Sequence, residues 1–173
     1  MSEPAGLTVA ILTISDSAAA GTRADRSGPA VAERCRQYNW LVQASAVVPD
    51  DHAAIAGQLA KWADEGVASV LLTTGGTGVA SRDVTPEATR SILEREIPGL
   101  GELIRLRGVE QNRFAVLSRG VAGTRKQSLI VNFPGSPKGA VYSLETISHL
   151  VPHAVQLLAG KTEHAPPAAG SGN

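Results

Sequence analysis

The chain has 173 residues, 43% hydrophobic and only 3% aromatic, so one domain with a core of Val, Leu, Ile and Ala is expected. Sixteen basic residues balance sixteen acidic ones, which excludes bulk electrostatic attraction to nucleic acid or a lipid surface. The single cysteine, Cys35, excludes an internal disulfide and cysteine-rich metal sites.

Residues 1–6 carry no basic stretch and no signal-like apolar core, and no apolar run approaches bilayer-spanning length. The expected location is the cytoplasm. Residues 7–14 are branched and apolar and read as a strand buried on both faces. Ser15-Asp16-Ser17 ends it, and a Gly/Thr/Asp/Ser-rich loop runs to Gly28. Helical sequence covers about 29–38, with Cys35 as a half-buried inert thiol, and Asn39 breaks it.

A second strand spans about 41–48 and ends at Pro49-Asp50-Asp51. Asp50 suits the N-cap of a helix over 51–65, whose Ile55, Leu59 and Trp62 form one buried stripe. Gly66 stops that helix. Strand three is 68–73, followed by a loop over 75–82. Thr85 caps the next helix, with Pro86 at its first position and Ile92 and Leu93 on its apolar face.

Pro98-Gly99 interrupts the pattern before a short helix over 100–107 and a further segment over 109–115. Residues 116–127, with Arg119, Arg125 and Lys126 around Gly120 and Gly123, read as a loop or hairpin. Ser128–Phe133 is the fourth strand. Pro134-Gly135-Ser136-Pro137 turns into helical sequence from Lys138 to about 159, interrupted before Pro152. Trp40 and Trp62 read as core. The domain is expected over 7–160, and 161–173 is expected to be a disordered tail.

Alternating strands and helices predict an α/β fold with a mostly parallel sheet between helix layers. Ligands in such folds sit at the C-terminal ends of strands. Four polar clusters fall there: Ser15-Asp16, Asp50-Asp51, Gly75–Asp83 and Pro134–Lys138. One pocket is expected to collect all four.

Gly75, Gly76 and Gly78 allow backbone N–H groups close to an anion, and Thr74 and Thr77 add hydroxyls. The run is neither a Walker A loop nor GxGxxG. It also suits a tight turn that only ends a buried strand. Asp50 and Asp83 together suit Mg²⁺, which prefers carboxylates and substrate phosphates; each also suits a cap or turn. Arg82 and Lys138 suit phosphate neutralisation or a solvated surface. Ser136 has no triad partner and reads as a turn serine. His52, His149, His153 and His164 lack a metal-ligand pattern.

The segments Leu71–Gly78, Asp83-Val84-Thr85-Pro86-Glu87, Thr13-Ile14-Ser15-Asp16, Pro49-Asp50, Ile97-Pro98-Gly99, Leu117-Ser118-Arg119, Arg125-Lys126-Gln127 and Asn132–Lys138 are the linked motifs of the chain. Together they resemble the MoaB/Mog family of molybdenum-cofactor biosynthesis proteins, nearest its MogA-like branch, over about residues 7–160. The resemblance implies a three-layer α/β/α sandwich, usually a homotrimer. It implies transfer of AMP from Mg²⁺–ATP to the terminal phosphate of molybdopterin, with release of pyrophosphate. A separate molybdate-inserting protein would take the product. By the same resemblance Asp50 and Asp83 are the catalytic and metal-holding pair. Gly75, Gly76, Thr77 and Gly78, after Thr74, hold the nucleotide phosphates. Ser15 and Asp16 form the first pocket loop, Ser136 and Lys138 a pocket wall, and Arg82 or Lys138 supplies positive charge. The family also admits a non-catalytic molybdopterin carrier or assembly protein.

Overall fold

A computed structural model describes residues 6–162. Among these residues six strands form one sheet: β1 (Thr8–Ile14), β2 (Leu41–Val48), β3 (Val70–Thr74), β4 (Arg95–Glu96), β5 (Ala122–Arg125) and β6 (Ser128–Phe133). The order across the sheet is β2-β1-β3-β6-β5-β4. The β2-β1-β3-β6 half is parallel, and β5 and β4 are added antiparallel at one side. The helices are α1 (Asp16–Ala19), α2 (Ser27–Gln37), α3 (His52–Asp64), α4 (Thr85–Ile92), α5 (Pro98–Gly108), α6 (Pro137–Ile147) and α7 (Val151–Leu158).

The period-two alternation of a strand divides the core between two helix layers. Val9 and Ile11 of β1, Val70 and Leu72 of β3, and Leu129, Val131 and Phe133 of β6 face one side. They pack against Val31 and Cys35 of α2, Ile104 of α5, and Leu144 and Ile147 of α6. Ala10, Leu12 and Ile14, Leu71 and Ile130 face the other, against Ile55, Leu59 and Trp62 of α3 and Ala88 of α4. The result is the expected α/β/α sandwich. Trp40 and Trp62 are buried as the sequence predicts.

Apart from the short α1 and β4, which were not expected, the differences from expectation lie at element ends. The α2 helix starts at Ser27 and α5 at Pro98, each two residues early. Asp51, not Asp50, caps α3: its backbone is extended and its carboxylate accepts from the Ala54 amide at 2.8 Å. That places Asp50 one residue outside the cap and leaves its carboxylate for other partners. Val84 occupies the cap position of α4, so Thr85 is the first helical residue and Pro86 the second. The Thr85 hydroxyl instead donates to Gly75 O at 2.9 Å, tying the glycine loop to α4.

Residues 113–117 form a 3-10 turn, and 122–133 form the β5–β6 hairpin, with Lys126 at a φ of 52° in its turn. The interruption before Pro152 separates α6 from α7. Cys35 is wholly buried rather than half-buried, and burial pushes its thiol up to about 12. From residue 163 onward the expected tail lies outside the described residues, as does His164. No helix of the described residues is long and apolar enough to cross a membrane.

Candidate functional site

The C-terminal ends of β1, β3 and β6 open onto a cavity of about 310 Å³. Ser15, Asp50, Thr74, Gly75, Gly76 and Asp83 line it. A second cavity of about 640 Å³ lies beyond, lined by Thr77, Gly78, Ser136 and Lys138 and by an apolar wall that includes Ile104, Phe114 and Leu117. Gly135 lines both. The single pocket expected from the sequence is therefore two adjoining chambers, with the glycine loop and the Pro134–Lys138 turn between them.

The loop's glycines are explained by close approach. Gly75 has a φ of 101°, and a Cβ there would lie 2.2 Å from the carbonyl oxygen of Ile14. Its amide donates to Phe133 O at 3.1 Å, so that N–H is committed to the end of β6 and is not offered to an anion. Gly76 has a φ of 66°, and its Cβ would lie 3.1 Å from Asp50 Oδ1 and 2.3 Å from the Thr85 hydroxyl. At Gly78 the Cβ would meet Asp83 Oδ2 at 2.7 Å. Two of the three glycines thus make room for the two aspartates as well as for a ligand.

Asp16 and Asp50 are joined at the end of the β1–β2 pair. The Asp16 amide donates to Asp50 Oδ2 and the Asp50 amide to Asp16 Oδ1, each at 3.0 Å. Arg82 grips Asp16 with two nitrogens: Nε donates to Oδ2 at 2.9 Å and Nη2 to Oδ1 at 2.7 Å. The Arg82 hydrogen bond holds the Asp16 carboxyl below the usual carboxylate range. Neither Asp16 nor Arg82 lines either chamber; Arg82 is exposed, with its charge already met by a carboxylate rather than held open for phosphate.

Asp50 has the opposite shift. Burial pushes its carboxyl above the ordinary range, and the neighbouring charges of Asp16 and Asp83 push the same way, against the stabilising Asp16 amide and the charge of Arg82. Asp83 Oδ2 accepts from the Ala80 amide at 3.0 Å within its own turn. Among the described residues no three His, Cys, Asp or Glu side chains are grouped to enclose a metal. Two carboxylates on one cavity, one of them beside two like charges, nevertheless fit Mg²⁺, which keeps several waters and takes further oxygens from phosphate.

Thr74 is buried, and its hydroxyl shares a hydrogen bond with Ser27. Thr77 is buried too, facing the larger chamber. Ser136 caps α6 by accepting from the Gly139 amide at 3.1 Å, as a turn serine should. Lys138 is exposed on the rim of the same chamber. Sequence reasoning missed Asp25 and Ser27, which line the smaller cavity from the loop before α2 and from its first residue. The Asp25-x-x-Gly28 spacing was the available signal: Asp25 Oδ1 accepts from the Gly28 amide at 3.1 Å, and Oδ2 from the Thr13 hydroxyl at 2.7 Å. Phe114 and Tyr142 of the larger chamber had no local signal, because only the packing of the 113–117 turn and α6 on α5 brings them together.

Residues 10–153 match the family model described as a probable molybdopterin binding domain. The chain is 40% identical over 154 residues to the molybdopterin adenylyltransferase of Helicobacter pylori strain J99, covering 88% of each protein. It is 44% identical over 153 residues to the molybdenum cofactor synthesis protein cinnamon of Drosophila melanogaster, covering 88% of this chain but 26% of that protein. Among solved structures, the molybdopterin biosynthesis enzyme MoaB of Thermus thermophilus superposes with a TM-score of 0.84 at 48% identity, over 90% of this chain and 98% of that one. With the α/β/α sheet order and the glycine loop between two chambers, these matches show that the chain belongs to the MoaB/Mog family of molybdenum-cofactor biosynthesis proteins.

Proposed function

We propose that the protein is a molybdopterin adenylyltransferase, moving AMP from Mg²⁺–ATP to the terminal phosphate of molybdopterin. The observation that carries this reading is the pair of chambers meeting at Gly135, with Asp50 and Asp83 in the smaller one beside the glycine loop. A carrier of one pterin needs one chamber. A transferase needs two ligands whose phosphates meet.

In this reading the smaller chamber takes the phosphates of ATP and the larger, apolar one takes the flat pterin. A phosphate oxygen of molybdopterin attacks the α-phosphorus of ATP. The bond from that phosphorus to the oxygen bridging to the β-phosphorus breaks, and pyrophosphate leaves with the electron pair. No protein nucleophile is needed. Asp50 and Asp83 would hold Mg²⁺, which when bound offsets charge on the transferring and leaving phosphates. The chain's own contribution is placement: the glycine loop sets how near the phosphates come to the carboxylates, and Lys138 stands on the rim of the pterin chamber. Ser15 and Thr74 line the nucleotide side, and Thr77 and Ser136 the pterin side. Arg82 must let go of Asp16 before it can meet a phosphate.

A homotrimer in the cytoplasm, passing its product to a molybdate-inserting protein, belongs to the same proposal. Exposed Leu106 and Val116, outside both chambers, offer apolar surface for such assembly, and sedimentation velocity of the full chain tests the trimer. The activity is tested by incubating the protein with molybdopterin, ATP and Mg²⁺. Adenylylated pterin and pyrophosphate in equal amounts support the reading. Pterin binding without ATP-dependent product identifies a carrier or assembly protein instead.

A further inference from the structure

We infer that Arg119 is a positioning residue: it clamps the Gly78–Asp83 loop from behind and thereby sets where the Asp83 carboxylate stands. Arg119 lies between the 3-10 turn and β5 and lines neither chamber. Its guanidinium is spent inward. Nε donates to Gly78 O and Nη2 to Asp83 O, each at 2.7 Å, and Nη1 pairs with the Glu87 carboxylate. Its amide donates to Thr77 O at 2.8 Å. One residue therefore holds the loop on both sides of its tip and holds the first turn of α4 as well.

Apart from Arg119, the loop is tied to the rest of the fold by one side chain of its own, Arg82, which grips Asp16 at the end of β1. Residues 79–82 are exposed, and its internal bonds are those that Ala80 and Asp83 exchange, each at 3.0 Å. Those bonds close the turn on itself but do not fix it to the sheet. Arg119 holds the loop by its backbone carbonyls and is itself braced: Arg105 of α5 donates to Gly120 O at 2.8 Å and reaches Ser118 O, on either side of Arg119. Arg105 also lines the larger chamber, so a chain of contacts runs from that chamber to the aspartate of the smaller one.

A planar guanidinium meets three acceptors at once, whereas a lysine ammonium on a flexible stem cannot span them. Charge alone is therefore not enough at this position. The expected effect on catalysis rests on the adenylyl-transfer reading; the expected effect on the loop does not.

The test compares full-length wild type, R119K and R119Q by amide hydrogen exchange and by steady-state kinetics. R125K serves as a control, since Arg125 similarly grips Asp64 and Ile92 O away from the chambers. Exchange over residues 76–85 should quicken about 10-fold or more in R119K and R119Q, with β1, β3 and β6 unchanged and R125K like wild type in that loop. In the kinetic arm kcat should fall about 10-fold or more in R119K while the KM for ATP moves less than about threefold. Guanidinium ion should partly restore R119A. Wild-type exchange of the loop in R119K, or quickening spread evenly through the sheet, overturns the inference. Should wild type transfer no adenylyl group, the proposed function falls and the exchange result alone decides the role of Arg119.

Discussion

Asp16 and Asp50 each accept the other's backbone amide, at 3.0 Å in both directions, and so pin the ends of two neighbouring parallel strands together. Only Asp16 receives an arginine in return. The two carboxylates are thereby pushed apart in acidity: Asp16 is held down by the Arg82 hydrogen bond, while Asp50, half-buried and facing the charges of Asp16 and Asp83, is pushed up. The structure holds in Asp50 a carboxylate that gains from a cation.

Replacing Asp50 by Asn should separate stability from function. The raised pKa means that the ionised form is disfavoured in the fold, so Asp50 costs stability as pH rises through its folded pKa and costs none in acid. Asn keeps an oxygen for the Asp16 amide and removes the charge. D50N should melt at a higher temperature than wild type at pH 8, with no such gain near pH 3, and should lose adenylyl transfer by about 100-fold or more. Thermal melts at the two pH values check the first statement, and product formation checks the second.

Binding of Mg²⁺–ATP should strengthen as pH rises through the raised pKa of Asp50. The free protein keeps a proton on Asp50 to a higher pH than an ordinary aspartate, and a bound cation requires that proton to leave. Binding below that pKa therefore releases a proton. Calorimetry in two buffers of different ionisation enthalpy should give a heat difference of matching sign, and D50N should abolish it. Identical heats in both buffers would remove Asp50 from the cation site.

Asp83→Asn should leave the loop folded and nearly stop turnover. The asparagine oxygen still accepts from the Ala80 amide, and Arg119 still holds the residue 83 carbonyl. Only the negative charge facing the cavity is lost. A fall of about 100-fold or more in kcat with an unchanged melting temperature is the expected result. Normal turnover would strip Asp83 of its assigned role.

Gly75→Ala tests the loop itself. Alanine at a φ of 101° is strained, and its methyl group would lie 2.2 Å from the Ile14 carbonyl, a backbone atom of β1 that cannot step aside. A loss of about 2–4 kcal/mol is expected from strain and overpacking together. For a chain of this size that lowers the melting temperature by on the order of 10 °C.

Strands β1, β3 and β6 were legible because their cores are apolar runs, such as Val70-Leu71-Leu72, which only two-sided burial explains, whereas β2 is an edge strand of alternating exposed and half-buried residues. The glycine loop and both aspartates were legible because turn chemistry follows a strand end at fixed spacing. Less visible was which of two adjacent aspartates caps α3. Asp50 and Asp51 are locally equivalent in sequence, and the register of β2 beside β1 gives Asp50 to Asp16 and Asp51 to the helix. Arg119 was visible as a member of a basic group and of the Leu117-Ser118-Arg119 motif but not as a clamp, since its three acceptors lie about 30 to 40 positions away in the chain. Distant pairing of this kind carries no local period.

Lys138→Ala should distinguish the two chambers. Lys138 stands on the larger one, across Gly135 from Asp50 and Asp83, and starts no bond that the smaller chamber needs. If the larger chamber holds the pterin, losing a cation at its rim weakens one substrate and spares the other. A charge-assisted contact to a phosphate contributes about 1.5–3 kcal/mol, so the KM for molybdopterin should rise by about 10-fold or more. The dissociation constant for Mg²⁺–ATP should stay within about twofold, because the carboxylates and glycine loop that would bind it are untouched. The opposite pattern, weaker ATP with unchanged molybdopterin, would exchange the two substrates between chambers while leaving the reaction itself in place. Equal weakening of both would place Lys138 where the two phosphates meet, and the fall would then appear in kcat as well.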